Sequence, residues 1–93
     1  MRSESELEEM CVIAAKAQGY QHRKLDTGLN AKGWLDHAFW GPGGRHFIVE
    51  FKVGSNAPSP KQAARIQDLR GMGHEVHVIY RLNAFLALLP VES

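Results

Sequence analysis

The sequence holds a single cysteine, Cys11, so no disulfide can staple the chain to itself. Cys11 sits among apolar residues and reads as a small buried hydrophobe. No apolar run approaches the length that crosses a bilayer, and the N-terminus is acidic where a signal peptide would be basic. A cytoplasmic protein is the expectation. Charge of one sign is also missing: 11 Lys+Arg stand against 10 Asp+Glu, a net charge of +1. That balance excludes a strongly basic, histone-like binder and leaves room for a local basic patch. His22, His37, His46, His74 and His77 show no zinc-like spacing with cysteine. Repeats and low-complexity segments are absent.

What is present fits one domain over residues 1–93, with a modest core. A chain this short buries only a little over ~60% of its unfolded surface, so a second copy is a plausible source of further burial. The hydrophobic fraction of 44% argues against disorder. Four of the acids cluster at Glu4, Glu6, Glu8 and Glu9, which leaves the rest of the chain distinctly basic.

"SESELEEMCVIAAKAQG" predicts a helix over residues 4–18: Ser3 can N-cap it, Glu6 stands in capping-box position, and Gly19 can close it. "YQHRKLD" is a weak strand signal, followed by the turn-rich "TGLNAKG". Two alternating runs, Leu35–Trp40 and His46–Lys52, surround "GPGGR" and predict a hairpin. "SPKQAARIQDLRGMG" predicts a second helix with Ser59 as N-cap, Pro60 at N1, Gln62 at N3 and Gly71 at its end. "HEVHVIYRL" alternates as a strand, and "NAFLALLP" is a short apolar tail, helical or extended. The order is α-β-β-β-α-β.

The hairpin brings charges together. With the turn centred on Gly43, Trp40 faces His46, Ala38 faces Ile48, and Asp36 faces Glu50. Opposed residues share a face with Cβ atoms roughly 4.5–5.5 Å apart, and Lys52 falls on that face by the two-residue period. Phe47, Val49 and Phe51 take the other face, against the core. Two opposed carboxylates repel unless a cation or a proton separates them. Oxygen ligands from two acids suit Mg²⁺ or Mn²⁺, and a nearby lysine can position water or stabilise developing charge. The competing reading is a wet sheet face on which Asp36, Glu50 and Lys52 are weakly paired surface charges. A register slip of one residue would separate the two acids.

"GWLD", then "VEFK" after a hairpin, then "SPKQ" opening a helix, resembles the PD-(D/E)XK nuclease superfamily. Within it, the sequence is most similar to the virus-type replication-repair nuclease (VRR-NUC) domain. That pattern has a helical Glu, a G-x-P-D element, a Gly-Gly turn, an E-x-K element, a following Gln and a late "G-x-x-V-x-V" strand. Here these correspond to Asp36, "GPGG", Glu50 to Lys52, Gln62 and "GHEVHVIY". The match runs from about Leu7 to Tyr80, and Leu35 replaces the motif proline.

The resemblance implies an α/β fold with a restriction-endonuclease-like core, a mixed sheet of about four strands flanked by helices. It implies a Mg²⁺- or Mn²⁺-dependent DNA endonuclease that hydrolyses phosphodiester bonds. Asp36 and Glu50 would hold the metal with the backbone carbonyl of Phe51, Lys52 would orient or activate water, and Gln62 would position water or phosphate. Glu8 best takes the helical role, with Glu9 and Glu6 as alternatives; a solvated first-turn acid favoured by the helix dipole accounts for most of that cluster. The resemblance further implies a phage or phage-bearing bacterial source, a homodimer, and branched DNA such as four-way junctions as substrate in replication or repair. The alternative of another class is a non-catalytic DNA-binding or assembly module on the same fold.

Three further expectations concern residues around the motifs. Arg23, Lys24, Lys32, Arg45, Lys61, Arg65 and Arg70 could rim a phosphate-binding surface, with Lys32, Lys61 and Arg65 best placed. Gln62, Ile66 and Leu69 share a helical face, so Gln62 is expected near the sheet, although Ser59 and Gln62 also form a capping box. His37 should project away from the Asp36–Glu50 face and serve structure. Trp34 and Trp40 are expected in the core or at a dimer interface.

Overall fold

The structure is a computed structural model and describes residues 3–25 and 35–91. Lys32 and Trp34 therefore lie outside the described residues. The chain runs α1 (Glu4–Ala17), β1 (Gln21–Lys24), β2 (His37–Trp40), a 3₁₀ turn (Pro42–Gly44), β3 (His46–Phe51), α2 (Pro60–Gly71), β4 (Val76–Ile79) and α3 (Leu82–Leu86). The strands form one mixed sheet in the order β1-β2-β3-β4, antiparallel except for the parallel β3–β4 pair. The expected α/β architecture is the observed one. Among the described residues, no helix is long and apolar enough to cross a membrane.

Local chemistry sets the element ends. Ser3 accepts from the Glu6 N–H at 3.2 Å, and α1 closes at Gly19 with φ 87°. In α2, the Ser59 hydroxyl accepts from the Gln62 N–H while the Gln62 carbonyl accepts from the Ser59 N–H, so the capping box is complete. Gly71 is the last helical residue; the left-handed position after the helix belongs to Gly73, at φ 93°. The hairpin turns through Gly43 and Gly44, both at positive φ, where a side chain would be strained. Gly41 serves a different need. A Cβ there would lie 2.3 Å from the Tyr20 ring, whose hydroxyl donates to the Leu89 carbonyl at 2.8 Å.

Helices cover both faces of the sheet. On one side, Leu7, Cys11 and Ala15 of α1 and Phe85 of α3 pack on Phe39, Phe47, Val49 and Phe51. Stacked and tilted rings dominate this core, with Phe39–Phe47 centroids 5.3 Å apart and Phe39–Phe85 5.1 Å apart. On the other side, Ile66 and Leu69 of α2 pack with Leu35, Ile48, Val76 and Val78. The second face is therefore no wet surface. Trp40, expected in the core or at an interface, is 45% exposed and stacks on His46.

Candidate metal centre

The hairpin register is the one that Gly43 sets. Trp40 pairs with His46 and Ala38 with Ile48, which brings Asp36 opposite Glu50. The Asp36 backbone N–H donates to Glu50 Oε1 at 3.3 Å. Leu35, standing where the motif has proline, is fully buried and leaves this register intact. Glu50 is 1% exposed, and its neighbour two residues on, Lys52, places Nζ 3.3 Å from Glu50 Oε2. Burial, first, and then the Asp36 charge push the Glu50 carboxyl above its ordinary range; Lys52 acts in the opposite sense. A buried carboxylate held beside another acid, with one ammonium to offset it, is short of positive charge.

Helix α1 adds two more acids. Oxygens of Glu4, Asp36 and Glu50 lie within 4.8 Å of one another, and so do ligand atoms of Glu8, Asp36 and His37. Glu4 and Glu8 are one turn apart beside the buried Leu7–Cys11–Ala15 stripe, so one helix face delivers both. Glu6 and Glu9 are exposed and take no part in either cluster. Sequence reasoning placed Glu8 near the site and overlooked Glu4. The signal was available: the two acids four residues apart flank the apolar stripe, whereas Glu6 and Glu9 do not.

Glu8 reaches the sheet through histidine. Its Oε1 lies 3.1 Å from His37 Nε2, and His37 Nδ1 lies 2.7 Å from His22 Nε2. The His22 and His37 rings lie edge to edge, centroids 4.9 Å apart and planes 23° apart, and Phe51 meets His37 edge-on at 4.9 Å. His37 is 2% exposed. Burial, then the nearby His37, lower the His22 pKa to about 4. His37 does project to the α1 face, as alternation requires, yet the bend at Asp36 brings both residues within reach of α1.

The remaining expected residues are placed less centrally. Gln62 is half-buried on the Ile66–Leu69 face of α2, and its carbonyl is committed to the Ser59 cap. Phe51 ends β3 with its ring in the core. Lys61 is exposed and Arg65 half-buried on α2. Two members of the expected cationic rim are tied locally. Arg45 grips Glu75 through both terminal nitrogens, one contact at 2.8 Å, and also donates to the Leu88 carbonyl. Arg70 donates to the Val76 carbonyl at 2.8 and 3.1 Å.

The donor set suits a divalent cation. The oxygens of Glu4, Asp36 and Glu50 lie within 4.8 Å of one another, close enough for all three to serve one ion after side-chain adjustment. Hard carboxylate oxygens favour Mg²⁺ or Mn²⁺, and a bound cation would relieve the repulsion between Asp36 and Glu50.

No protein-family model matches the sequence, and no curated protein matches it. The chain is similar in structure to a solved protein described as a "VRR_NUC domain", with a TM-score of 0.81 and 24% identity over 91% of each chain. At that identity the likeness establishes a shared fold.

Proposed function

We propose that this chain is a divalent-metal-dependent nuclease that hydrolyses phosphodiester bonds in DNA. One observation carries the reading: the hairpin holds Asp36 against the buried Glu50, with Lys52 3.3 Å from the latter, on a fold shared with a VRR-NUC domain. Asp36, Glu50 and Glu4 hold the cation, with the Phe51 carbonyl as a further oxygen. When bound, Mg²⁺ or Mn²⁺ supplies Lewis-acid polarisation of the phosphodiester and neutralises charge on the departing oxygen.

The chain's own groups do the rest. Lys52, fixed by Glu50, directs its ammonium N–H groups at the attacking water and at phosphate oxygens, where negative charge grows in the transition state. Gln62 keeps its carbonyl in the helix cap and turns its amide N–H groups toward water or phosphate. Glu8 orients the edge of the site through His37. Lys61, Arg65 and Lys32 contact the phosphate backbone, giving affinity that falls with salt and carries little sequence information. The substrate is branched DNA such as a four-way junction, and two copies of the chain offer one site to each of two strands.

The test incubates the protein with four-way junction, duplex and single-stranded DNA in Mg²⁺, Mn²⁺ or EDTA, beside a Glu50→Gln variant. Metal-dependent nicking, strongest on the junction and abolished in the variant, is expected. Binding without cleavage under every metal would overturn the enzymatic reading in favour of a non-catalytic module.

A further inference from the structure

We propose that the cleft at the carboxyl ends of β3 and β4 holds an unpaired nucleobase of the DNA, from a nucleotide next to the bond that is cut. The inference rests on the nuclease reading above and deepens it, because it names what the site asks of its substrate. The cleft has a volume of about 500 Å³, with Leu7, Val53, Leu82 and Leu86 as apolar walls. Among the described residues few large hydrophobic side chains stay open to water, and two of them, Tyr80 and Leu86 at 39% exposure each, line this cleft.

Position ties the cleft to the metal centre. The Lys52 N–H donates to the Ile79 carbonyl at 3.0 Å, which sets the ends of the two parallel strands side by side. Sheets with parallel strands commonly bind ligands outside such carboxyl ends. Lys52 turns its ammonium to Glu50, and the next residue, Val53, turns into the cleft. On α1, Leu7 lines the cleft while Glu4, one turn earlier, joins Asp36 and Glu50. Two separate elements thus each give one residue to the cleft and one to the metal centre, so the two are neighbours.

Chemistry selects the occupant. A nucleotide joins a flat ring with apolar faces to an anionic phosphate. The walls and the Tyr80 ring suit the base, since aromatic side chains stack on any base. Arg81, exposed at the edge of the cleft, adds positive charge for the adjoining phosphate. Asn83 commits its carbonyl oxygen to the Ala84 N–H at 2.8 Å and keeps its amide N–H groups for the ring. Every nucleobase offers an acceptor, so the cleft takes an unpaired base without choosing which one. A base must leave its stack to enter, and that costs least where it is already unpaired.

The experiment follows the Val53, Leu82 and Leu86 methyl signals of the full chain by NMR in EDTA, with thymidine 5′-monophosphate as the probe. Saturable shifts of these signals are expected, and Tyr80→Ala should weaken binding by about tenfold. In Mg²⁺, a duplex with one unpaired nucleotide should be cleaved with a KM at least about tenfold below that of the fully paired duplex. An abasic unit at the unpaired position should remove that advantage. So should Leu86→Trp, which fills the cleft from an exposed position; a Tm rise with Mn²⁺ equal to the parent's shows that this variant is folded and holds metal. Absence of methyl shifts, equal KM for paired and unpaired DNA, or a preference that survives Leu86→Trp overturns the proposal and keeps the nuclease reading. Methyl shifts without any cleavage would do the reverse. Methyl signals that move with protein concentration alone would assign the cleft to a second copy of the chain and overturn the proposal.

Discussion

Replacing Asp36 with Asn should make the metal-free protein more stable while removing its response to metal. Asp36 lies within 4.8 Å of carboxylate oxygens of Glu4, Glu8 and Glu50. One pair of unit charges at that distance repels by roughly 3.5 kcal/mol at an effective dielectric of 20 and by roughly 0.9 kcal/mol in bulk water. Asp36 and Glu4 are half-exposed, and Lys52 offsets part of the field, so the lower end governs. The expected gain in EDTA at pH 7 is about 1–2 kcal/mol, read as a rise in Tm of about 4–16 °C for a domain of this size. Saturating Mn²⁺ should raise the Tm of the unmodified chain strongly and that of Asp36→Asn little, because ligand stabilisation follows affinity for the folded state. The sign with pH follows from Glu50. Its folded-state pKa is raised, so its ionised form costs stability above that pKa, and the cost disappears as pH falls through it to the ordinary range near 4.5. The advantage of Asp36→Asn should therefore shrink between pH 7 and pH 4. Thermal unfolding by circular dichroism across that range is the assay. A variant in EDTA no more stable than the parent, or equally stabilised by Mn²⁺, refutes the reasoning.

Other expectations follow from the same structure. Lys52→Met removes the ammonium 3.3 Å from the buried Glu50 and should cost about 3 kcal/mol at pH 7 in urea unfolding, and less at pH 4, where Glu50 is protonated. Gly41→Ala drives a methyl group into the Tyr20 ring, and should lower stability by about 2–3 kcal/mol with loss of near-UV signal from Tyr20. Ser59→Ala breaks the α2 capping box and should cost about 1 kcal/mol in the same urea assay. Arg45 holds the Glu75 carboxyl down to about 2, so the stabilisation from Glu75 is present above pH 4.5 and fades as pH falls toward 2. Glu75→Gln should flatten that part of the acid-unfolding curve.

Much of this architecture was legible because local chemistry and global fold agree. Ser59, Pro60 and Gln62 announce α2, and Gly43 sets a register that places Asp36 on Glu50. Alternation likewise put Phe47, Val49 and Phe51 in the core. Alternation could not reveal what covers the opposite face, since Glu50 and Lys52 look the same under a helix as in water. Packing decided it: Ile66 and Leu69 bring α2 onto Ile48 and Val78, and Glu50 is 1% exposed. The contribution of α1 was also obscured. Four acids in six residues read as a solvated cluster, although only Glu4 and Glu8 flank the Leu7–Cys11–Ala15 stripe that docks on the sheet. Alternation put His37 on the α1 face, but only the docking of the helix shows that Glu8 meets it there.

The spacing of Glu4 and Glu8 makes α1 a ruler. Four residues advance the helix by roughly 6 Å, so the two carboxylates reach two sides of Asp36 without any loop to adjust them. A helix cannot lengthen or shorten without turning, and each residue turns it by roughly 100°. One residue gained or lost between Glu8 and Cys11 would swing both acids off the site together, while Leu7 left the core. Substitutions can tune the two carboxylates one at a time; insertions and deletions can only keep or lose them as a pair.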